Sequence, residues 1–160
     1  MNLSIIIPAF NEEESIKPLV NLIFKNLDKN LEDFEIILID DGSNDKTWDE
    51  IVKISNKFEN IVSIKLLENY GKSDALDAGF KVCKGNYVLT MDADLQDDPS
   101  EILPLYSMII ENKYDLVSGW KKKRNDPLTK TIPSKFFNLV TRLFSGIKLN
   151  DFNCGIKIYR

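Results

Sequence analysis

The chain has 160 residues, 43% of them hydrophobic and 29% charged, which is enough apolar material to bury one core and too much for a disordered segment. A formal net charge of −4 argues against a nucleic-acid binder that works by neutralising phosphates, so an anionic partner must be met by a local basic cluster such as Lys121 to Arg124. The absence of histidine removes every mechanism that needs imidazole, and two cysteines without CxxC spacing, Cys83 and Cys154, give neither a disulfide framework nor a zinc signature, which fits a reducing, cytoplasmic compartment.

The N-terminal stretch MNLSIIIPAFNEEE has neither a basic n-region nor a small-residue cleavage site. Within it, LSIIIP is a short continuous apolar run rich in β-branched residues, as FEIILID is further on, the pattern of strands buried on both faces of a parallel sheet. Between them Ile16, Leu19, Val20, Ile23, Phe24 and Leu27 fall on one face of an amphipathic helix. The alternation continues with a helix carrying Trp48, Ile51, Val52 and Phe58, the strand IVSIKLL, a helix around Ala75, Leu76, Ala78, Gly79 and Val82, and the strand NYVLTMD. A helix with Ile102, Leu105, Tyr106 and Ile109 leads to the strand YDLVSG. This order predicts an α/β fold with a mostly parallel central sheet and helices on both faces, in one domain over residues 1–160.

After Trp120 the character changes. WKKKRNDPLTKTIP is basic, polar and punctuated by proline, a loop long enough to carry function. Phe136, Phe137, Val140, Leu143 and Phe144 then form a second apolar helix face, which either packs in the core or meets lipid or a further segment. No apolar run approaches the ~18–20 residues of a membrane span, so the expectation is a soluble or peripheral domain. The sequence stops at CGIKIYR, directly after what reads as the start of a strand, which suggests the first part of a longer protein.

In open parallel sheets ligands bind beyond the carboxyl ends of the strands. Here those ends read PAFNEEE, DDGSND, ENYGKSD and DADLQDD, and neither GxGxxG nor GxxxxGK[ST] is present. A dinucleotide or Walker-type site is therefore not expected; carboxylates and an aromatic suit a base and a cation-neutralised diphosphate. Four carboxylates within seven residues, in DADLQDD, repel one another unless they are solvated or share a cation. Magnesium and manganese prefer oxygen ligands, and magnesium takes only one or two from protein beside substrate phosphates and water. If the chain is extended there, Asp94 and Gln96 share a face and can reach one ion while Asp92 faces the substrate. The plain structural reading is the start of a helix, with Asp98, Pro99 and Glu101 as N-cap, N1 and capping-box residues. That reading suits Asp97 and Asp98 but not Asp92 and Asp94, which lie upstream. A calcium EF-hand fails because its loop needs glycine and glutamate where Asp97 and Leu103 stand. An aspartyl-phosphate phosphatase is expected to continue Gly-Thr after Asp-x-Asp, not Leu-Gln. Elsewhere, Asp41, Gly42, Ser43 and Asn44 also suit a turn with an N-cap, Asn69 and Gly71 a helix start, and Gly79 a close-packing position.

SIIIPAFNEEESI, IDDGSNDKTW, NYGKSDALDAGF, MDADLQDDP, VSGWKKKRNDP and DFNCGIKIYR, in this order, resemble the family 2 glycosyltransferases of the GT-A, Rossmann-like fold. The similarity is to the dolichyl-phosphate mannose synthase and polyprenyl-phosphate (bactoprenol) glucosyltransferase group, and it spans essentially the whole chain. It implies that Pro8, Phe10 and Glu12 hold the nucleoside, with Phe10 against the base, and that Ile39 and Asp41 complete that pocket. It implies further that Asp92, Ala93 and Asp94 line the donor diphosphate and that Asp94 and Gln96 ligate Mg2+ or Mn2+. Lys72, undecided between a structural and a functional role, is a candidate substrate contact. Lys121 falls where the family commonly has arginine, and with Arg124 it is expected to meet donor or acceptor phosphate.

The implied reaction is transfer of a hexose, with inversion, from a nucleotide-diphosphate sugar of the UDP-glucose or GDP-mannose type to a polyprenyl or dolichyl phosphate. Such a phosphate, with a second pKa near ~6, is already largely dianionic and needs little help from a base. The barrier then lies in the leaving diphosphate, which a divalent ion stabilises. A sugar-hydroxyl acceptor in polysaccharide synthesis would instead need a carboxylate base, for which Asp151 is the candidate. A third reading is a nucleotide-sugar-binding fragment without turnover. The expected setting is the inner face of the cell membrane, met through a further C-terminal segment; a homo-oligomer is compatible, and no nucleic-acid partner is expected.

Overall fold

The computed structural model describes residues 2–27, 31, 33–120 and 154–160. The elements in chain order are β1 (Leu3–Ala9), α1 (Ile16–Leu27), β2 (Phe34–Asp40), α2 (Thr47–Ser55), β3 (Ile61–Lys65), α3 (Lys72–Val82) and β4 (Tyr87–Thr90). A 3-10 turn at Pro99–Glu101 runs into α4 (Ile102–Asn112), followed by β5 (Leu116–Ser118) and β6 (Lys157–Tyr159). The sheet order is β3-β2-β1-β4-β6-β5. Strands β3, β2, β1 and β4 are parallel, whereas β6 runs antiparallel to both β4 and β5. The C-terminal strand is thus an insert that separates β4 from β5, an arrangement the apolar alternation of IKIY could not indicate.

The alternation along each strand divides the core in two. Leu3, Ile5 and Ile7 of β1, Phe34, Ile36 and Leu38 of β2, and Leu89 of β4 face α1, α2 and α4 in one large cluster. Ile6, Ile37, Ile39 and Val88 face the other way and pack with Ala75 of α3. Both faces are therefore covered, which is why the strands are apolar at nearly every position. Helix α3 lies close to the sheet because residue 79 has no side chain: a Cβ there would stand 2.5 Å from Ile6 Cγ2 and 3.2 Å from Ile39 Cδ1. Gly79 is thus the close-packing position its sequence context suggests.

Helix α2 is shorter than its apolar spacing predicts. It ends at Ser55, and Phe58, expected on its face, lies beyond it and stacks on Phe24 of α1 with ring centroids 4.2 Å apart. Ile54 takes the buried helical position instead. The expected helix face from Phe136 to Phe144 lies outside the described residues.

Candidate functional site

Beyond the carboxyl ends of β1, β2 and β4, beside the start of α3, lies an open cavity of about 330 Å³ lined by residues from all four places. Of the residues singled out in the sequence, Pro8, Phe10, Glu12, Asp41, Lys72, Asp92, Ala93 and Asp94 line it together; Ala9, Asn69 and Gly71 complete the described lining. Ile39 does not reach it. It has no exposed surface and packs beneath α3, because in β2 its side chain takes the sheet face opposite Leu38.

The loop after β1 and the loop after β2 are laced together. Asn11 N–H donates to Ser43 Oγ at 2.9 Å, and Asn44 N–H donates back to Asn11 Oδ1 at 2.9 Å. Glu12 N–H donates to Thr47 Oγ1 at 2.7 Å, and Lys46 N–H to Glu13 Oε2 at 2.8 Å. Asp45 collects the Thr47 amide at 2.9 Å, the Thr47 hydroxyl at 2.6 Å and the Glu13 amide at 3.3 Å. Partial burial works against its charge, but the Thr47 and Glu13 hydrogen bonds prevail and hold its carboxyl below the usual carboxylate value. The N-cap position is Lys46, whose side chain does not cap, and the Thr47 amide at the helix start is accepted by Asp45 rather than by Ser43 or Asn44. Phe10, left 41% exposed at the cavity wall, presents an aromatic face on which a planar base can stack.

The third loop is fastened to the second. Both oxygens of the buried Asp41 accept backbone N–H groups, from Tyr70 and from Gly71, each at 3.0 Å. Gly42, with φ of +67°, lets the two loops touch: a Cβ there would lie 2.3 Å from the Glu68 carbonyl carbon. Gly71 also has positive φ, 94°, and immediately precedes Lys72, the first residue of α3. Asp41 therefore sets where Lys72 enters the cavity, in addition to lining it.

On the β4 side the charges meet. Lys72 Nζ forms an ion pair with Asp92 Oδ1. The other Asp92 oxygen lies against the backbone at Gly155, where a Cβ would stand 2.5 Å from Asp92 Oδ2 and 2.6 Å from Asp97 Oδ2. Thr90 Oγ1 donates to the Gly155 carbonyl at 3.3 Å, tying that backbone to the end of β4. Asp97 is thus a buried partner of this junction and not the solvated helix-start residue its neighbours suggest. Asp98 is the N-cap: its Oδ1 accepts Ser100 N–H at 2.9 Å, and that bond, with the Ser100 hydroxyl, keeps its carboxyl below the ordinary value.

The extended geometry expected for Asp94 and Gln96 is not formed. Leu95 has a φ of +61° and Gln96 N–H turns back onto Asp94 Oδ1 at 3.0 Å. Gln96 instead lines a second cavity of about 220 Å³, with Asp97, Asp98, Glu101 and Trp120 among its walls. Lys121, Arg124 and Asp151 lie outside the described residues. Among the described residues no group of three or more carboxylate, thiol or imidazole side chains is placed to hold a metal ion by protein alone. Exposed Asp94, beside Asp92, does match a cation that takes one or two protein oxygens and the rest from a diphosphate. None of this second geometry, nor the contact at Gly155, was signalled by local sequence; a glycine directly before the apolar alternation IKIY was the one available hint.

A parallel α/β sheet with an inserted antiparallel strand and a carboxylate-lined cavity at its strand ends is the architecture of the GT-A glycosyltransferases. Residues 4–160 match the glycosyl transferase family 2, and the chain belongs to that family. It is 36% identical over 162 residues to dodecaprenyl-phosphate galacturonate synthase of Rhizobium johnstonii, covering 100% of this chain and 48% of that protein. It is 36% identical over 158 residues to undecaprenyl-phosphate 4-deoxy-4-formamido-L-arabinose transferase of Pseudomonas syringae, covering 98% of this chain and 47% of that protein. The chain therefore spans about half the length of these curated relatives. Its fold also matches the mannosyltransferase PcManGT of Pyrobaculum calidifontis, solved with GDP-Man and Mn2+, with a TM-score of 0.71 at 19% identity over 99% of this chain and 44% of that one. Among the described residues no helix is long and apolar enough to cross a membrane.

Proposed function

We propose that the chain is a GT-A catalytic domain that transfers a sugar from a nucleotide-diphosphate donor to a polyprenyl phosphate at the membrane surface, with inversion and with Mg2+ or Mn2+. The observation that carries the reading is the single cavity uniting Phe10, Asp41, Lys72, Asp92 and Asp94 at the strand ends. The two polyprenyl-phosphate sugar transferases with 36% identity support the acceptor class.

In this reading Phe10 and Pro8 receive the base, while Glu12 and the Asp41 clamp define the ribose end. Lys72 meets the diphosphate. Asp94, with Asp92 beside it, holds the divalent ion, which when bound offsets the negative charge that develops on the leaving diphosphate. Gln96 is left out of that ligand set, since it faces the other cavity. The acceptor phosphate, a dianion near neutral pH, attacks without a protein base, so Asp151 has no proton to take; Lys121 and Arg124 draw the phosphate in against the donor's like charge.

Calorimetric titration of UDP-sugars and GDP-mannose into the protein, with manganese and then with EDTA, tests the donor site. Manganese-dependent binding of one donor is expected; no binding of any donor under either condition overturns the reading. Replacing Lys121 and Arg124 by alanine is expected to weaken a short-chain polyprenyl phosphate more than the donor, and equal losses would remove the phosphate-acceptor assignment.

A further inference from the structure

The cavity carries an imbalance of charge that bears on how a cation and a nucleotide enter it. Four of its described lining residues are acidic, Glu12, Asp41, Asp92 and Asp94, and one is basic, Lys72. Asp41 accepts the Tyr70 and Gly71 amides with both oxygens, Glu12 accepts the Ser15 hydroxyl within its own loop, and Asp94, the exposed one beside Asp92, accepts the Gln96 amide with Oδ1 alone. That leaves Asp92 and Asp94 as the pair able to draw a divalent ion, and Asp92 is already ion-paired with Lys72. The arrangement is not a loose surface contact. Lys72 opens α3 directly after Gly71, whose amide is fixed to Asp41, and the far side of Asp92 rests against the Gly155 backbone.

We infer that Lys72 makes divalent-cation binding conditional on the nucleotide: its ammonium neutralises Asp92 until a diphosphate draws it away and leaves that carboxylate for the cation. The inference rests on the proposed donor site and deepens it, by assigning Lys72 a role in the order of binding as well as in affinity. Its basis is Coulombic. A dication arriving alone meets two carboxylates and an ammonium, a net charge of about −1, whereas one arriving with a diphosphate meets both carboxylates and the phosphates. Side-chain exposures of 52% for Lys72 and 32% for Asp92 leave the pair free to exchange partners without an unpaired charge being buried. Binding linkage requires the converse: whatever factor the nucleotide adds to cation affinity, the cation adds to nucleotide affinity.

The test uses Mn2+ alone, followed by the electron paramagnetic resonance of the free aquo ion, then Mn2+ with UDP or GDP. Wild-type protein, Lys72→Met, Lys72→Gln and Lys72→Arg are compared, each checked for folding by circular dichroism. In the wild type, Mn2+ is expected to bind weakly alone and more tightly with the nucleotide. The two neutral variants are expected to bind Mn2+ alone on the order of tenfold more tightly, the effect of removing one unit charge near a dication in a water-like dielectric. They should show a correspondingly smaller gain on adding nucleotide and weaker nucleotide binding, while Lys72→Arg follows the wild type. A merely structural lysine would weaken both ligands on removal. Unchanged or weaker Mn2+ binding by both neutral variants, with the wild-type coupling intact, overturns the inference and leaves the transferase reading standing. Failure of the wild type to bind either nucleotide, with or without Mn2+, overturns that reading and the inference with it.

Discussion

The two sides of the cavity are built on different physics. On the side of β1 and β2 the loops are joined by hydrogen bonds between backbone amides and short polar side chains, with Asn11, Ser43, Asp45 and Thr47 at the crossing points. On the side of β4 the polar side chains that line the cavity, Asp92 and Asp94, are charged, and they are held by an ion pair, a one-residue turn and a bare glycine backbone. On the first side donors and acceptors satisfy one another, which holds that wall in one arrangement. The second is assembled from charged groups that, under the proposed donor site, exchange partners when phosphate and a cation arrive. Under the proposed donor site this gives a rigid wall for the nucleoside and an exchangeable wall for the diphosphate, so substitutions on the two sides should fail in different ways.

The largest effect is expected at Asp94. In the proposed ligand set it is the exposed carboxylate nearest to being uncommitted, so Asp94→Asn should reduce manganese-dependent donor affinity by on the order of 100-fold, at the upper end of what loss of a supporting group costs a metal site. Thermal stability should hardly move, since the side chain's described hydrogen bond closes a local turn. Unchanged donor affinity in the presence of manganese, measured by calorimetry, would sink the metal assignment. Gly155→Ala comes next. Its methyl group would meet Asp92 and Asp97 at 2.5 and 2.6 Å, so both carboxylates must shift. We expect a loss of about tenfold in donor affinity, since small misplacements in a polar site are costly, together with about 1–3 kcal/mol of stability from overpacking. A variant that loses stability but keeps full donor affinity would show that Asp92 does not need its observed position.

The same division explains what could be read from the sequence. Strands β1 and β2, the periodic face of α1 and the N-cap Asp98 are local patterns, and they appear where apolar spacing and capping chemistry put them. Eight candidate residues on four separate segments meet in one cavity because a parallel sheet brings its strand ends together. What escaped was set by contacts distant in sequence or by a single backbone angle. The insertion of β6 between β4 and β5 brings Gly155 to Asp92 and Asp97, 63 and 58 positions away by their numbers. A left-handed Leu95 folds the Gln96 amide onto Asp94 and places the two residues on different cavities, and no rule for leucine anticipates that. Phe58 lies seven residues after Ile51, a helical spacing, yet it falls beyond the end of α2 and its ring stacks on Phe24 of α1. Ile39 illustrates the limit of a motif: it sits beside Asp40 and Asp41 in sequence, but the pleat sends it into the core.

The smallest expected effect tests the rigid side through pH. Asp45 has a folded-state value below 3.8, the value its carboxyl takes without neighbours, so its contribution to stability is present above that pH and is lost as pH falls through the folded value. Asp45→Asn removes the titrating charge but keeps a side chain of the same shape, able to accept from the Thr47 hydroxyl or amide. Near neutral pH the variant should be less stable by under about 1 kcal/mol, the scale of a solvent-accessible helix-start hydrogen bond. Below 3.8 the wild-type and variant urea midpoints should converge, because the wild-type carboxyl is then being protonated. Donor affinity at neutral pH should stay as it is, since Asp45 does not line the cavity. Parallel stability curves across that range would mean that the Asp45 charge contributes nothing to joining the loops. A fall in donor affinity would mean that the two sides of the cavity are less independent than their bonding suggests, and that the shape of the wall beside Phe10 depends on the same local charge balance as the wall beside Asp92.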